Sequence, residues 1–590
     1  MKENNLKVFI LLKSLFNKLK RIRKLQIIFL FFFILVAAFS ELITLSLAFP
    51  FIEIISNSGD IWEIKLISKI FSFLGFSKEQ NLIGPMVILF SGSAFLSGLI
   101  KNFNLWFGSR LAAKIGSDVS CECYKRNLYQ DYEIFINKNS SELITNNTLY
   151  INKFTDVLQV SARFFTALII SFVISIYMIS LNFVYSLLAI IIFVLAYLLI
   201  AKYSKSRLRV NSQIIANNSK SQVQLMNETN GSFRDIILGF NQKEYLDLYA
   251  NLDLKKRMSE AENVFINLFP RNTIESLLLI FVAILSFFVN NDTSLTLFIP
   301  TIGTLAIGAQ KLLPFMQQTY GSWSFLAGSS SSLIKIFEML KLPINKNFIN
   351  YSPKSLKFLN EIKFVDLSFR YKDSKKYIFK NFNFSIKKGD IIGIIGKTGS
   401  GKSSFADLFM GLISPTRGNI YLDGVQIFDS FNSYKKIDYR KLIAHVPQNI
   451  FLIDSTIAAN ISFNFNLDII DLKKIREAAK QSNIHNFIED LPNGYSTMVG
   501  ENGVKLSGGQ RQRIGIARAL YQKKSILVLD EATSALDSST EKSILDSIYK
   551  FKKDKTILII THRIDALKKC NKILNFDDGR IELDINKVQE

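Results

Sequence analysis

Two stretches of the chain carry residue types suited to phosphate chemistry. Gly396-Lys397-Thr398-Gly399-Ser400-Gly401-Lys402-Ser403 fits G-x-x-x-x-G-K-[ST], and a helical pattern follows from Ser404. Backbone N–H groups of such a loop curl around phosphate oxygens, and the helix N-terminus favours the anion. Lys402 would reach the β- and γ-phosphates, and the Ser403 hydroxyl would bind Mg²⁺. Downstream, the apolar run 525–529 ends in two carboxylates, Asp530 and Glu531. Acids at the carboxyl end of a buried strand suit a metal ligand beside a general base. An acidic pair there also fits a helix N-cap. With the phosphate loop upstream, the pair predicts nucleotide hydrolysis, Asp530 completing the magnesium shell and Glu531 activating water.

Those side chains need strands to position them. Residues 391–395 and 525–530 are short, continuously apolar and rich in β-branched types, the pattern of parallel strands buried on both faces. A third motif, Leu506-Ser507-Gly508-Gly509-Gln510, opens a helix and offers another anion site, although one phosphate loop is already present. This set resembles the ATPase domain of ABC transporters, in which the signature closes over ATP bound to a partner subunit. The resemblance extends, in order, from Tyr371 to His562. It implies that Tyr371 stacks on adenine, that Gln448 senses Mg²⁺ and contacts the membrane domain, and that Asp537 closes the D-loop begun by Ser534. It also implies that His562 touches the γ-phosphate. The loop 497–503 would meet coupling helices, with Asn502 standing where arginine is usual. By this resemblance ATP binds through Tyr371, the loop from Gly396 to Ser404, Ser507, Gly508, Gly509, Gln510 and Asp537. Ser403, Gln448 and Asp530 take Mg²⁺, and Lys402, Gln448, Glu531 and His562 serve catalysis.

The chain has 590 residues, 48% of them hydrophobic and 51 of them Phe, and its long apolar segments predict membrane spans. A net charge of +23 raises nucleic acid as a partner, but the basic residues are dispersed and no nucleic-acid motif accompanies them. Lysine and arginine facing the cytosol and anionic lipid account for the excess better. Three cysteines exclude a disulfide framework, and with three histidines they leave zinc without a ligand set.

The expected fold class is a membrane all-α exporter domain of six helices followed by an α/β P-loop ABC ATPase domain. Residues 1–24 read as a basic amphipathic elbow on the cytoplasmic leaflet, 25–324 as six spans with two cytosolic coupling excursions, 325–357 as a linker and 358–590 as the ATPase domain. A cleaved signal peptide competes for the N-terminus, yet the apolar run continues to about residue 56, beyond any h-region. Segment 57–80 reads as a helix in the outer interface, and 132–142 and 232–245 resemble the family's coupling segments. One ATPase domain and one set of spans imply a homodimer. The expected location is a bacterial plasma membrane, with both termini and the ATPase domain cytoplasmic.

Charged residues within apolar segments are candidate cargo contacts: Glu41 in the first span, and Arg163, Arg271 and Lys311 near cytoplasmic span ends. The cations would suit an anionic headgroup such as a pyrophosphate; snorkelling or pairing between helices is the plainer reading of the same residues. These cations, segment 57–80 and the stretch AQKLLPFMQQTYGSW resemble the branch that flips lipid-linked oligosaccharides. A lipid-like amphiphile is therefore the expected substrate. Export of peptides or hydrophobic small molecules, and an ATP-gated channel or sensor, stay open as alternatives.

Overall fold

The computed structural model describes residues 3–55, 83–136, 140–181, 183–289, 295–344, 356–371, 374–429, 434–464, 470–534, 536–550, 555–577 and 580–584. The expected external helix at 57–80 and the loop 290–294 lie outside the described residues. The chain divides into two compact units, Met1–Gln130 with Asn137–Ile344, and Asp131–Ile136 with Asn345–Glu590.

The described residues of the first unit are helical almost throughout. Segments Arg21–Ile54, Ile83–Leu128, Ser141–Leu181 and Ser186–Gly231 are long and apolar enough to cross a membrane. Helices Gln242–Val289 and Leu295–Gly328 occupy the places expected for the fifth and sixth spans. The Ile83–Leu128 helix has 46 residues and the Phe183–Gly231 helix 49. About 20 residues cross a hydrocarbon core, so each has roughly 40 Å of helix to spare at about 1.5 Å per residue. The polar excursions are therefore continuations of the spanning helices rather than loops. Their sequences explain this, since residues 109–128 contain no proline and one glycine. That glycine, Gly116, lies where an added Cβ would meet Thr155 Oγ1 at 2.3 Å, so it permits close packing of Ile83–Leu128 on Ile151–Leu181. Helix Arg21–Ser46 buries Ile34, Ala37, Ala38 and Leu45 on one side and leaves Phe31, Phe32, Leu35 and Phe39 exposed on the other. Such an apolar outer face suits lipid, not water. The expected linker begins as helix instead: Ser330–Lys341 buries Leu333, Ile336 and Phe337 in a core shared with Ile115 and Phe154.

The second unit has a six-stranded sheet, β10-β9-β3-β8-β7-β6, and a four-stranded antiparallel sheet, β2-β1-β4-β5. The first is built from β3 (Ile391–Gly396), β6 (Ile443–Val446), β7 (Ile526–Asp530), β8 (Thr556–Ile560), β9 (Lys572–Asp577) and β10 (Arg580–Asp584), parallel except for β10. The second is built from β1 (Glu361–Phe369), β2 (Phe379–Lys387), β4 (Arg417–Leu422) and β5 (Val425–Gln426). Because side chains alternate across a strand, Leu527, Leu529, Ile557 and Ile559 enter one core while Ile526, Val528, Leu558 and Ile560 enter the other. Both faces are covered, which is why these strands read as unbroken apolar runs.

Candidate functional site

The order β3-β8-β7-β6 brings four chain segments to one edge of the sheet. The phosphate loop leaves β3 at Gly396, Asp530 ends β7, and His562 and Gln448 each lie two residues beyond the ends of β8 and β6. Adjacent strands lie about 4.8 Å apart, so side chains from these ends converge without long reach.

The loop is shaped by backbone that only glycine adopts easily. Gly396, Gly399 and Gly401 have φ of +143°, +82° and +104°, and Gly401 caps the helix Lys402–Phe409. An added Cβ would meet the Phe576 carbonyl oxygen at 2.3 Å from Gly396 and Ile378 Cγ2 at 2.3 Å from Gly401. Lys402 Nζ donates to the carbonyls of Gly396 and Lys397 at 2.7 and 2.8 Å, which places the ammonium across the loop. Burial lowers its pKa, while Glu531 and Asp530 pull the other way. Lys397, Thr398 and Ser403 are exposed, and Ser400 Oγ is buried without a partner inside the loop. Ser404 Oγ lies 3.0 Å from the Tyr371 hydroxyl. The Tyr371 ring stands edge-on to Phe369 and remains 42% exposed, which leaves a face for stacking.

Glu531 is the centre of the arrangement. Its φ of +47° turns the chain sharply after β7, a conformation that costs a non-glycine residue about 1–3 kcal/mol. Gln448 Nε2 donates to Glu531 Oε2 at 2.7 Å, across 83 residues of sequence, and His562 Nε2 lies 3.2 Å from Oε1. Asp530 sits beside them with its pKa raised by burial and by Glu531, an effect Lys402 opposes. The structure thus brings together the loop, Gln448, Asp530, Glu531 and His562.

The signature is also a helix cap. Ser507 Oγ accepts from Gln510 N, and Gln510 Oε1 accepts from Ser507 N, a reciprocal pair that opens the helix Gly508–Tyr521. Asp537 likewise caps Ser538–Tyr549 through Thr540 N, and its bonds to Ser539 and Thr540 hold its pKa low. Sequence reading missed Arg563. Its guanidinium bonds the carbonyls of Ser534 and Leu536 and pairs with Glu541, which fixes the D-loop; adjacency to His562 was the signal available. Asn502 has φ of +51°, a conformation asparagine tolerates better than most residues.

Residues 131–136 contribute to this unit too. Glu133 Oε1 accepts from Ser414 N at 2.6 Å, and Tyr132 packs against the core that holds Phe405 and Phe409. Nearby, Lys436 is pushed down to about 8 by burial and by Arg440, and its Nζ donates to Ser414 Oγ at 3.0 Å.

In the first unit, Glu41 is buried between two lysines. Lys311 Nζ lies 2.9 Å from Oε1 and Lys101 Nζ 2.8 Å from Oε2, with Ser97 Oγ donating to Oε2 at 2.7 Å. Arg163 lines a neighbouring cavity with Lys101. Arg271 stands apart from this cluster: it is exposed and pairs with Glu275 on its own helix at 2.7 Å. Lys101 and Ser97 were not singled out from sequence, although a lysine inside an apolar segment is the same signal that marks Glu41.

The ABC transporter family pattern matches residues 379–534. The chain is similar to the ATP-dependent lipid A-core flippase of Vibrio vulnificus (strain CMCP6), 39% identical over 246 residues, 42% of this chain and 41% of that protein. It is also similar to the flippase of the same name from Saccharophagus degradans (strain 2-40), 40% identical over 268 residues, 45% of this chain and 44% of that protein. The match thus spans under half the length of these relatives. A bacterial Atm1-family ABC exporter with ATP bound has the same fold, with a TM-score of 0.76, 20% identity and 95% of each chain covered. Residues 379–534 thus match the ABC transporter family, and the whole chain has the fold of an ABC exporter, a helical domain with segments long and apolar enough to cross a membrane followed by an α/β domain.

Proposed function

We propose that two copies of this chain form an ATP-driven exporter that flips a lipid-linked saccharide, or a similar anionic amphiphile, from the inner to the outer leaflet of a bacterial plasma membrane. The observation that carries the ATPase reading is Glu531 held between Gln448 and His562 beside the Lys402 loop. In the proposed reaction Glu531 takes a proton from the attacking water, while Gln448 and His562 hold its carboxylate in line. Lys402 leaves the loop carbonyls to pair with the β- and γ-phosphates, and Ser400 Oγ gains a phosphate partner. Tyr371 stacks on the adenine. Ser403, Gln448 and Asp530 form an all-oxygen set that suits Mg²⁺; the chemistry this ion supplies when bound is neutralisation of charge across the β- and γ-phosphate oxygens. Each ATP would lie between Gly396–Ser404 of one copy and the Ser507–Gln510 signature of the other, with Asp537 beside it. Closing the two ATPase domains then biases the helices of the membrane domain between two states. The termini and ATPase domains would be cytoplasmic, and the domain limits 1–24, 25–324, 325–357 and 358–590 describe the working parts.

The cargo reading draws on the lipid A-core flippase relatives and on the cations around Glu41. Its test is the ATPase rate in proteoliposomes against a panel of polyprenyl-pyrophosphate saccharides, lipopolysaccharide core lipid and short hydrophobic peptides, with Glu531→Gln as the blank. Stimulation by the anionic glycolipids supports the proposal. Stimulation by peptide alone would replace it with a peptide exporter, and ion conductance without pumping with a channel.

A further inference from the structure

The helix Lys402–Phe409 starts at the phosphate loop, and the chain beyond its far end meets the segment Asp131–Ile136, which belongs to the same compact unit. That end is closed by the Gly411 N–H, which donates to the Leu408 carbonyl, and by the Leu412 N–H, which donates to that of Asp407. Arg440 holds it in place: two of its guanidinium N–H groups donate to the Gly411 carbonyl at 2.8 and 2.6 Å. Three residues on, Ser414 is held from two sides. Its backbone N–H donates to Glu133 Oε1 at 2.6 Å, and its Oγ accepts from Lys436 Nζ at 3.0 Å. Lys436 and Arg440 stand four residues apart on the helix Tyr434–Arg440, which puts them on one side of it.

We propose that Lys436 and Arg440 form a cationic socket that positions the acidic segment Asp131–Ile136, and that its grip is proton-linked at Lys436, firm while the ammonium is charged and slack as pH rises. The proposal rests on the reading of this stretch as a coupling segment, and adds which side chains hold it and what loosens them. Charge is complementary, since Asp131 and Glu133 flank Tyr132 on the segment. Tyr132 itself packs against the core that holds Phe405 and Phe409 of the phosphate-loop helix, so the acids are presented beside an apolar anchor. The half-buried Lys436 also lies over the Phe428 ring, 5.4 Å from its centroid, while Lys435 beside it is paired with Asp429 at 3.0 Å.

Four influences set the charge of Lys436. Burial and Arg440 disfavour the ammonium, and Asp131 and Glu133 favour it; the balance pushes the lysine down to about 8 from an ordinary 10.5. Because the acids of the segment favour the charged form, the docked state binds the proton more tightly than the undocked one. Docking therefore strengthens as pH falls through 8 and weakens as pH rises through it. Arg440 keeps its charge throughout, so the socket slackens rather than empties. A slack grip lets the phosphate-loop helix move without carrying the segment, and hydrolysis at alkaline pH then drives the helix Ile83–Leu128 less fully.

The test is hydrogen–deuterium exchange of the full-length protein in nanodiscs, read as protection relative to the intrinsic rate at each pH. The reporters are the Ser414 amide, which Glu133 covers, and the amides of Ile134, Phe135 and Ile136. The wild type should lose protection about threefold or more between pH 7 and pH 9. Lys436→Arg, whose charge does not titrate there, should keep its protection within about twofold over the same range. Lys436→Met should be poorly protected at both pH values, and the Arg variant covers a Met variant that does not fold. Glu133→Gln, which can still accept from Ser414 N–H but carries no charge, should flatten the slope. A wild type that loses no protection, or a Lys436→Arg variant with the wild-type slope, overturns the latch. Exchange needs no cargo, so that result leaves the exporter reading untouched, and a protein that moves no glycolipid still has its latch decided by these rates.

Discussion

Glu531 and Glu41 are both held by side chains from distant parts of the sequence, Glu531 by two and Glu41 by three, and the scaffolds that hold them differ. Gln448 and His562 reach Glu531 from strand ends whose spacing the sheet fixes, with the carboxylate turned by its own left-handed backbone. Lys101 and Lys311 reach Glu41 along flexible stems from two separate helices. The first arrangement suits chemistry, which tolerates little displacement. The second suits exchange of partners during a conformational cycle, because lysine is a mobile point charge rather than a rigid fork.

The largest effect that would break this contrast is at Glu531. Glu531→Gln should lower kcat for ATP about 10²- to 10³-fold while ATP binding persists, measured by phosphate release and nucleotide affinity; a loss under about tenfold would remove Glu531 from the role of base. Rigidity under the loop comes next. Phe405 is fully buried among Phe364, Phe379, Phe382 and Phe576, so Phe405→Ala should cost about 3–5 kcal/mol. Chemical unfolding should show that loss in the ATPase transition.

A pH effect should follow from His445 on β6. Burial holds its pKa down to about 4, against an ordinary 6.5. Below 6.5 the unfolded chain takes up a proton that the folded chain refuses, so stability falls as pH drops through 6.5 toward 4. The loss is of order 1–3 kcal/mol. His445→Asn should flatten that slope in thermal unfolding. The smallest effect is expected at Glu133, whose bond to Ser414 N ties the short Tyr132–Phe135 helix into the ATPase unit. Glu133→Ala should reduce cargo moved per ATP while basal hydrolysis stays within about twofold, since a single charged hydrogen bond is worth about 1.5–3 kcal/mol.

The two units also differ in how much of them the sequence discloses. The loop from Gly396 to Ser403, the Asp530–Glu531 pair and the Ser507 cap are local, because each is specified by backbone conformations a few adjacent residues enforce. Strands β3 and β7 were legible as short, continuously apolar runs. Their order was not, and that order is what delivers Gln448 and His562 to Glu531. Membrane helices were legible from length and apolarity, but an apolar helix does not disclose which face meets which neighbour. Glu41 could therefore be marked as costly without Lys101 being identified as its partner, while Arg271, marked on the same grounds as Lys311, is satisfied by Glu275 one turn away. That the segment expected as a linker opens with helix Ser330–Lys341 was not legible, because the helix is amphipathic and polar on one side.

Movement of an anionic glycolipid across the bilayer, driven by hydrolysis at Glu531, is the step proposed above. The direct measurement follows a fluorescent lipid-linked saccharide in proteoliposomes, with an impermeant reagent destroying label in the accessible leaflet. The wild type should show ATP-dependent transfer between leaflets and Glu531→Gln none. Transfer that proceeds equally without ATP, or ATP hydrolysis that leaves every anionic glycolipid in place, would contradict it.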